Sequence, residues 1–263
     1  MSRARSDLFA YRYTRGIVRG PGPEMTGALS RNGTAASIDA ELAGRQHAGY
    51  TKTLADLGVD IVQLPADPAF PDGCFVEDTC VMLPVAAVIT IPGAPSRRGE
   101  AESVARAVAP LVETHRIEGG TLDGGDVLRL GRRYLIGLSE RTDKQGADEL
   151  SRIVREHGAE AQYVEVARGL HLKSAVTPLS EDTVLGLASF LDDRAFSDTT
   201  KLIVPEEEAP AANVLAVNGT IVMADGFPET RERLARAGYR VIICDISEFA
   251  KADGGLTCLS VLW

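Results

Sequence analysis

Cysteine and histidine are scarce in this chain of 263 residues, with four of each. Cys74, Cys80, Cys244 and Cys258 are too few and too scattered for a disulfide framework. No two of them stand as Cys-x-x-Cys, which argues against a structural zinc site, and His47, His115, His157 and His171 show no metal-ligand spacing. Long apolar runs are also missing. The longest, residues 81–94, is broken by Pro84 and Pro92 and is too short to span a bilayer. The basic N-terminus has no apolar stretch of the signal-peptide kind. Basic charge is in deficit: 28 Lys and Arg face 37 Asp and Glu, a net charge of −9 and the wrong sign for tracking phosphates. An acidic balance suits a cationic ligand without establishing one. These absences point to a soluble, cytoplasmic protein in a reducing compartment, with neither nucleic acid nor membrane as a partner. The sequons at Asn32 and Asn218 carry no meaning there, and Asn218-Gly219 reads as a hairpin turn.

What is present is an ordinary globular balance, 44% hydrophobic and 25% charged, in a chain long enough to bury a core without staples. It also repeats itself. Apolar run, short turn, apolar run recurs from Val76, Gly124, Leu172, Ala211 and Gly254, and each reads as a β-hairpin. The last lacks a second strand, which the N-terminal run from Ala10 can supply. Helical patterns lie between: residues 38–57, 100–112, 142–157 with Thr142 as candidate cap, and 230–237. Each runs into a short strand, at Asp60, His115, Ala161 and Arg240. A helix–strand–hairpin unit cannot bury both faces alone, so five units must pack on one another. A closed ring is expected, completed by the N- and C-terminal segments, as a single domain spanning residues 1–263. An open α/β sheet without internal symmetry is the alternative.

In such a ring, equivalent hairpin heads meet at the axis. The first carries Asp72, Glu77 and Asp78, carboxylates that are costly to bury unless paired and that equally suit a solvated turn. The second carries Asp123 among glycines that permit close backbone approach. The third opens at His171 and the fifth contains Cys258. Alone, His171 reads as a satisfied structural residue and Cys258 as a small buried hydrophobe. Together, Cys, His and Asp at equivalent heads supply a nucleophile, a general acid/base and an orienting carboxylate. The extra carboxylates suit a planar, N–H-rich guanidinium.

The strings FVEDTCVML from Phe75, ITIPGAPSRRGE from Ile89, TLDGGDVL from Thr121, GLSERTDKQGA from Gly137, GLHLKSAVTPL from Gly169 and ADGGLTCLSVL from Ala252 extend this pattern over essentially the whole chain. In them the chain resembles the dimethylarginine dimethylaminohydrolase family of the pentein superfamily. The resemblance implies a five-bladed α/β propeller of ββαβ-type repeats with pseudo-five-fold symmetry. It implies hydrolysis of asymmetric dimethylarginine or monomethylarginine to citrulline plus dimethylamine or methylamine, through a covalent Cys thiouronium. No metal or organic cofactor is implied, and a homodimer is left open.

By the same resemblance Cys258 is the nucleophile, His171 the general acid/base, and Asp123 the residue that orients the histidine and touches the guanidinium. Asp78 grips the guanidinium, with Glu77 its neighbour in the site and Asp72 a further contact. Arg97 and Arg141 take the amino-acid end of the substrate. Leu29 is the lid residue of the 21–31 loop, and Ala252 offers a backbone carbonyl. A cysteine among carboxylates should stay protonated at neutral pH until a cation binds. The alternatives are a pentein acting on free arginine, as arginine deiminases do, and a non-catalytic binding pentein. The former are typically longer, with an inserted helical bundle.

Overall fold

The computed structural model describes residues 12–167 and 169–263. In chain order the elements are β1 (Arg15–Arg19), α1 (Ala40–Asp56), β2 (Asp60–Leu64), β3 (Cys80–Met82), β4 (Ala86–Ile89), α2 (Ala101–Val108), β5 (Glu113–Arg116), β6 (Val127–Leu130), β7 (Arg133–Leu138), α3 (Lys144–Glu156) and β8 (Glu160–Glu165). They continue with β9 (Val176–Pro178), β10 (Thr183–Gly186), α4 (Ala188–Leu191), β11 (Thr200–Ile203), β12 (Leu215–Val217), β13 (Thr220–Ala224), α5 (Pro228–Arg236), β14 (Arg240–Cys244), α6 (Ser247–Ala250) and β15 (Ser260–Leu262).

The strands form five three-stranded sheets: β3-β4-β5, β6-β7-β8, β9-β10-β11, β12-β13-β14 and β15-β1-β2. In each, the first pair is antiparallel and the second parallel. A hairpin makes the first pairing in the first four sheets, and a crossover carrying a helix makes the second in all five. The expected ring is therefore present, and it is closed as anticipated. β1 near the N-terminus pairs antiparallel with β15 at the C-terminus, Val18 opposite Ser260 and Gly16 opposite Leu262. The closing strand begins at Arg15; Ala10, where the sequence run starts, lies outside the described residues.

The middle strands are covered on both faces. β4 and β10 are buried along their whole length, and β7 and β13 nearly so. That is why they read as continuous apolar runs rather than alternating ones. The core lies between strands and helices: Ile136 of β7 packs in one cluster with Ala147, Leu150 and Val154 of α3 and with Val88 of β4.

Local signals explain most element ends, and some correct the expectations. α1 starts at Asp39, whose carboxylate accepts from the N–H groups of Glu41 and Leu42. α3 is capped by Asp143, which accepts from Gly146 N–H, and not by Thr142, whose hydroxyl is committed to Asp126. α2 stops at Val108 rather than running to Val112, because Pro110 has no N–H to continue the helical ladder after Ala109, which is itself still helical. α5 begins two residues earlier than Thr230, at Pro228, whose fixed φ and missing N–H fit the first helical position. The four-residue α4 and the strand β11 have no counterpart in the sequence reading; both are too short to show a period.

A short 3-10 turn precedes each inner strand: Val76–Thr79 before β3, Gly124–Asp126 before β6, Leu172–Ser174 before β9, Glu206–Ala212 before β12 and Thr257–Leu259 before β15. Successive turns of the first three touch, and the fifth touches the first. Asn213, immediately after the fourth turn, hydrogen-bonds to Thr257 in the fifth. The hairpin heads thus come together around the axis.

The turn Asn218-Gly219 links the fourth module to the closing strand. Both residues have positive φ, 46° and 87°, as a two-residue hairpin requires. The Asn218 amide accepts from Tyr13 N–H and donates to the carbonyls of Tyr13 and Leu57, at 2.8–2.9 Å. Asn218→Ala removes three hydrogen bonds and puts a Cβ-only side chain at positive φ. We expect a loss of about 2–3 kcal/mol in denaturant unfolding at roughly 1 kcal/mol per bond. Asn218→Asp, which keeps the acceptor and the turn preference, should lose less.

Candidate active site

A cavity of about 170 Å³ opens at one end of the axis. Eight of the ten residues anticipated from the sequence line it: Leu29, Asp72, Asp78, Arg97, Arg141, His171, Ala252 and Cys258. Asp123 and Glu77 do not.

Cys258 is the second residue of the 3-10 turn at the head of β15. Its sulfur accepts from the Gly255 N–H at 3.4 Å. Burial, reinforced by the charges of Glu77 and Asp78, pushes the thiol up to about 12. In the ligand-free site it is a thiol at neutral pH, as its carboxylate surroundings imply.

His171 stands just before the turn that leads into β9. Its Nε2–H donates to Asp123 Oδ2 at 2.9 Å, and its Nδ1 faces Asp78 Oδ1 at 4.0 Å. Burial opposes a charged imidazole, but Asp78 and the Asp123 hydrogen bond outweigh it and hold His171 up at about 9. The imidazole therefore carries a proton it can give away. Asp123 is wholly buried behind the ring, its second oxygen accepting from Gly93 N–H at 2.8 Å. That position orients the histidine and keeps the carboxylate out of the cavity lining.

Asp78 accepts from Gly125 N–H at 2.9 Å and from Arg97 Nη1 at 2.6 Å. Burial alone would raise its pKa, but His171 and Arg97 hold it down at about 2, so it stays ionised. Gly125 is glycine for a steric reason: a Cβ there would lie 2.7 Å from His171 Nδ1 and 2.9 Å from Asp78 Oδ1. A Cβ at Gly93 would meet the Arg141 carbonyl oxygen at 2.3 Å.

The two arginines differ in role. Arg97 is buried, and it donates to Asp78, to the Phe75 carbonyl and, through Nε and Nη2, to Glu100. Of the five N–H groups of a guanidinium, this leaves one unspoken for. Arg97 is thus committed mainly to holding Asp78. Among the described residues the Arg141 side chain has no ion pair, and it lines the mouth of the cavity. Asp72, whose pKa burial pushes up, accepts from Leu29 N–H at 3.1 and 3.3 Å and so ties the 21–31 loop to the site. Across the mouth, Arg31 N–H donates to Asp253 at 2.6 Å and the Thr34 hydroxyl to the Lys251 carbonyl at 2.6 Å. Leu29 is 39% exposed at this mouth.

Glu77 points the other way. Its carboxylate accepts from Lys173 Nζ and from the Thr257 hydroxyl, and it borders a separate cavity of about 520 Å³ around the inner strands. Its place beside Asp78 in sequence gives adjacency without shared direction on a 3-10 turn.

Several supporting groups escaped the sequence reading as site residues. Asp126 accepts from Leu172 N–H and from the hydroxyls of Ser139 and Thr142, which anchors the turn next to His171 and the segment bearing Arg141. Asn213 accepts from Thr257 N–H and donates to the Thr257 hydroxyl and the Lys173 carbonyl, holding the turn that carries Cys258. Its position at the head of the fourth hairpin was the available signal. Glu100, held up at about 7 by burial against the pull of Arg97, had none beyond its place in the string ending SRRGE. Asp78, Asp123 and His171 each have a ligand atom within 4.8 Å of the others. With both carboxylates hydrogen-bonded and His171 protonated, they make a poor metal site at neutral pH.

Residues 107–209 match the arginine deiminase family model. The chain is 41% identical over 219 residues to a dimethylarginine dimethylaminohydrolase of Pseudomonas aeruginosa, covering 82% of this chain and 86% of that one. It is 39% identical to the Streptomyces coelicolor enzyme of the same name over 94% of this chain and 96% of the relative. The chain belongs to the dimethylarginine dimethylaminohydrolase family. The P. aeruginosa enzyme, solved as a Cys-to-Ser variant complexed with citrulline, superposes with a TM-score of 0.93 at 37% identity, covering 96% of this chain and all of that one. A histidine-to-glycine variant of a dimethylarginine dimethylaminohydrolase, solved as an adduct with S-methyl-L-thiocitrulline, gives a TM-score of 0.92 over 95% of this chain. The N-terminal domain of ArgZ, a cyanobacterial arginine dihydrolase, is 19% identical with a TM-score of 0.84 and shares the fold. That fold is the five-bladed α/β propeller.

The site of this family member makes a prediction about its sulfur. Alkylation of Cys258 by iodoacetamide in the ligand-free protein should rise with pH through 9 without a plateau, because the thiolate fraction keeps growing toward about 12. A rate that levels off below pH 7 would contradict the neutral thiol.

Proposed function

We propose that this chain hydrolyses N-omega-methylated arginine to citrulline and dimethylamine or methylamine, with Cys258 as nucleophile, His171 as general acid/base and Asp123 as its orienting partner. One observation carries the reading: Cys258, His171 and Asp78 line one cavity sized for a small ligand, with His171 bonded to Asp123 behind it.

The chemistry follows from those states. A guanidinium carbon is a poor electrophile because its charge is delocalised, so attack requires a thiolate. A cationic guanidinium held by Asp78 lowers the cost of ionising Cys258 beside it and fixes the carbon for attack. The sulfur, its proton lost to solvent as the cation binds, adds to that carbon to form a tetrahedral adduct. His171 gives its proton to the departing amine as the C–N bond breaks, leaving a thiouronium on Cys258. Water then attacks the same carbon, His171 takes a proton from it, and the C–S bond breaks to release citrulline and the cysteine. One water is consumed and no redox change occurs.

Arg141, with the remaining N–H of Arg97, takes the substrate carboxylate. Ala252 offers its carbonyl to the α-amine, and Leu29 closes over the ligand. Asp72 supports the lid from below, and Glu77 braces Thr257 rather than meeting the ligand. Unmodified arginine is the second reading, favoured by the arginine deiminase match over residues 107–209.

Four unpaired cysteines among the described residues support a cytoplasmic setting. Among the described residues no helix is long and apolar enough to cross a membrane.

Citrulline formation tests both readings, with dimethylarginine, monomethylarginine and arginine offered in parallel. Turnover of the methylated substrates at a higher kcat/KM than arginine supports the proposal, and the reverse order favours the deiminase reading. Cys258→Ser should abolish turnover while leaving the circular dichroism spectrum unchanged; retained activity would remove the nucleophile assignment. Arg141→Ala should raise KM by roughly tenfold or more, the loss of a charged hydrogen bond, with a smaller effect on kcat.

A further inference from the structure

The histidines show no ligand spacing in sequence, yet packing brings two of them together away from the catalytic cavity. Glu113 and His115 lie two residues apart on β5, and strand geometry puts such residues on one face. His157 stands at the C-terminal end of α3, in the next module. The two imidazole rings meet edge to face, with centroids 5.0 Å apart and planes at 82°. His115 Nε2 lies 3.4 Å from Glu113 Oε1. One ligand atom from each of the three residues falls within 4.8 Å of the other two.

Two further observations bear on what the cluster is for. His157 Nδ1 donates to the Ile153 carbonyl at 2.9 Å, which leaves Nε2 as the atom with a free lone pair. A ring nitrogen bonded to a backbone carbonyl is the usual outer support of a metal-bound histidine. His115 Nε2 is shut off from solvent and has no hydrogen-bond partner. A buried polar atom in that state is costly unless something else completes it.

We propose that Glu113, His115 and His157 form a binding site for a divalent transition-metal ion of the zinc class, with water in the fourth position. Two imidazoles and one carboxylate are a donor set that zinc accepts, at about 2.0–2.2 Å from each ligand. Tetrahedral bonds of that length put ligand atoms roughly 3.4 Å apart. The cluster therefore closes by a small movement, and Glu113, whose side chain is 66% exposed, is free to make it. Such an ion ties the outermost strand of one blade to the helix of the next. A neighbouring contact already joins the same elements: Glu118 N–H, just past β5, donates to Glu149 of α3 at 2.7 Å. The site lies on β5, the outer strand of its sheet, whereas the catalytic groups cluster at the heads of the inner strands. Its role is to fasten two blades together rather than to take part in the hydrolysis.

The test is calorimetric titration of Zn²⁺ into the full chain carrying Cys258→Ser, which removes the thiol as a competing ligand. We expect saturable binding of one ion per chain and a rise in thermal midpoint when zinc is present. Adding His157→Ala or His115→Ala should weaken that binding by roughly 10–100-fold or more. Glu113→Gln, at an exposed position that the fold tolerates, should weaken it too. In the wild-type background the His115→Ala, His157→Ala pair should form citrulline at the normal rate. Absence of saturable binding overturns the proposal. So does one-to-one binding that survives loss of both histidines, which would place the ion at Asp78, Asp123 and His171.

Discussion

A buried carboxylate held anionic by two buried cations, His171 and Arg97, is the constraint on which the rest of the site depends. Asp78 would be neutral in a dry interior without a partner. His171 and Arg97 supply the partners, and Glu100 and the Phe75 carbonyl hold Arg97 in turn. The fixed charge on Asp78 then acts in two opposite senses. It keeps His171 protonated, because a nearby anion favours the imidazolium, and it adds to the burial and the Glu77 charge that keep Cys258 protonated. The resting site therefore holds both of its protons, and under the proposed mechanism a bound cation releases the one on sulfur. On that mechanism a sulfur held this way is quiet towards neutral electrophiles and responds to a flat positive ligand.

The symmetry of the fold puts the parts together, and departures from it make the site. Each of the five strand heads contributes something different at the axis. The first gives Asp78, the second Asp123 and Asp126, the third His171 and Lys173, the fourth Asn213, and the fifth Thr257 and Cys258. Neighbouring heads are bonded to one another: His171 to Asp123, Leu172 to Asp126, Lys173 and Thr257 to Glu77, and Thr257 to Asn213. His171 and Thr257 each lean on another blade, His171 on Asp123 and Thr257 on Asn213 and Glu77, so the heads are fixed only in the assembled ring.

The ring, its closure by β1 and β15, and the residues that meet at the axis were legible because each leaves a local trace: an apolar hairpin, a turn, and a polar residue where the pattern calls for an apolar one. What was not legible is direction. Glu77 and Asp78 are adjacent in the chain, yet they face different cavities, since successive side chains of a 3-10 turn diverge by about a third of a revolution. Arg97 reads as a ligand-binding arginine until its hydrogen bonds are seen to be almost fully taken by protein. Thr142 and Asp143 are both good helix caps by type, and only the demand of buried Asp126 for the Thr142 hydroxyl decides between them. For Glu77 and Thr142 the deciding partners are distant in sequence and leave no mark beside the residue, and Arg97 is settled jointly by Glu100, three residues on, and by the distant Asp78 and Phe75.

Rigidity is divided between the floor of the cavity and its mouth. The turn bearing Cys258 is held from behind by Asn213 and Glu77, through Thr257, in hydrogen bonds that are buried. The 21–31 loop and Thr34 are held from in front by backbone donors at Leu29 and Arg31 and by the Thr34 hydroxyl, and the last two of these bonds are exposed. Exposed hydrogen bonds with few apolar contacts open at low free energy, whereas buried ones yield only with the fold. The Arg31 and Thr34 bonds can therefore break without moving the sulfur, because none of the groups that place Cys258 belongs to the 21–31 loop. Met25 and Ala28, buried in the core, keep the base of that loop in place, so the supports of the sulfur and of the mouth stay independent of each other.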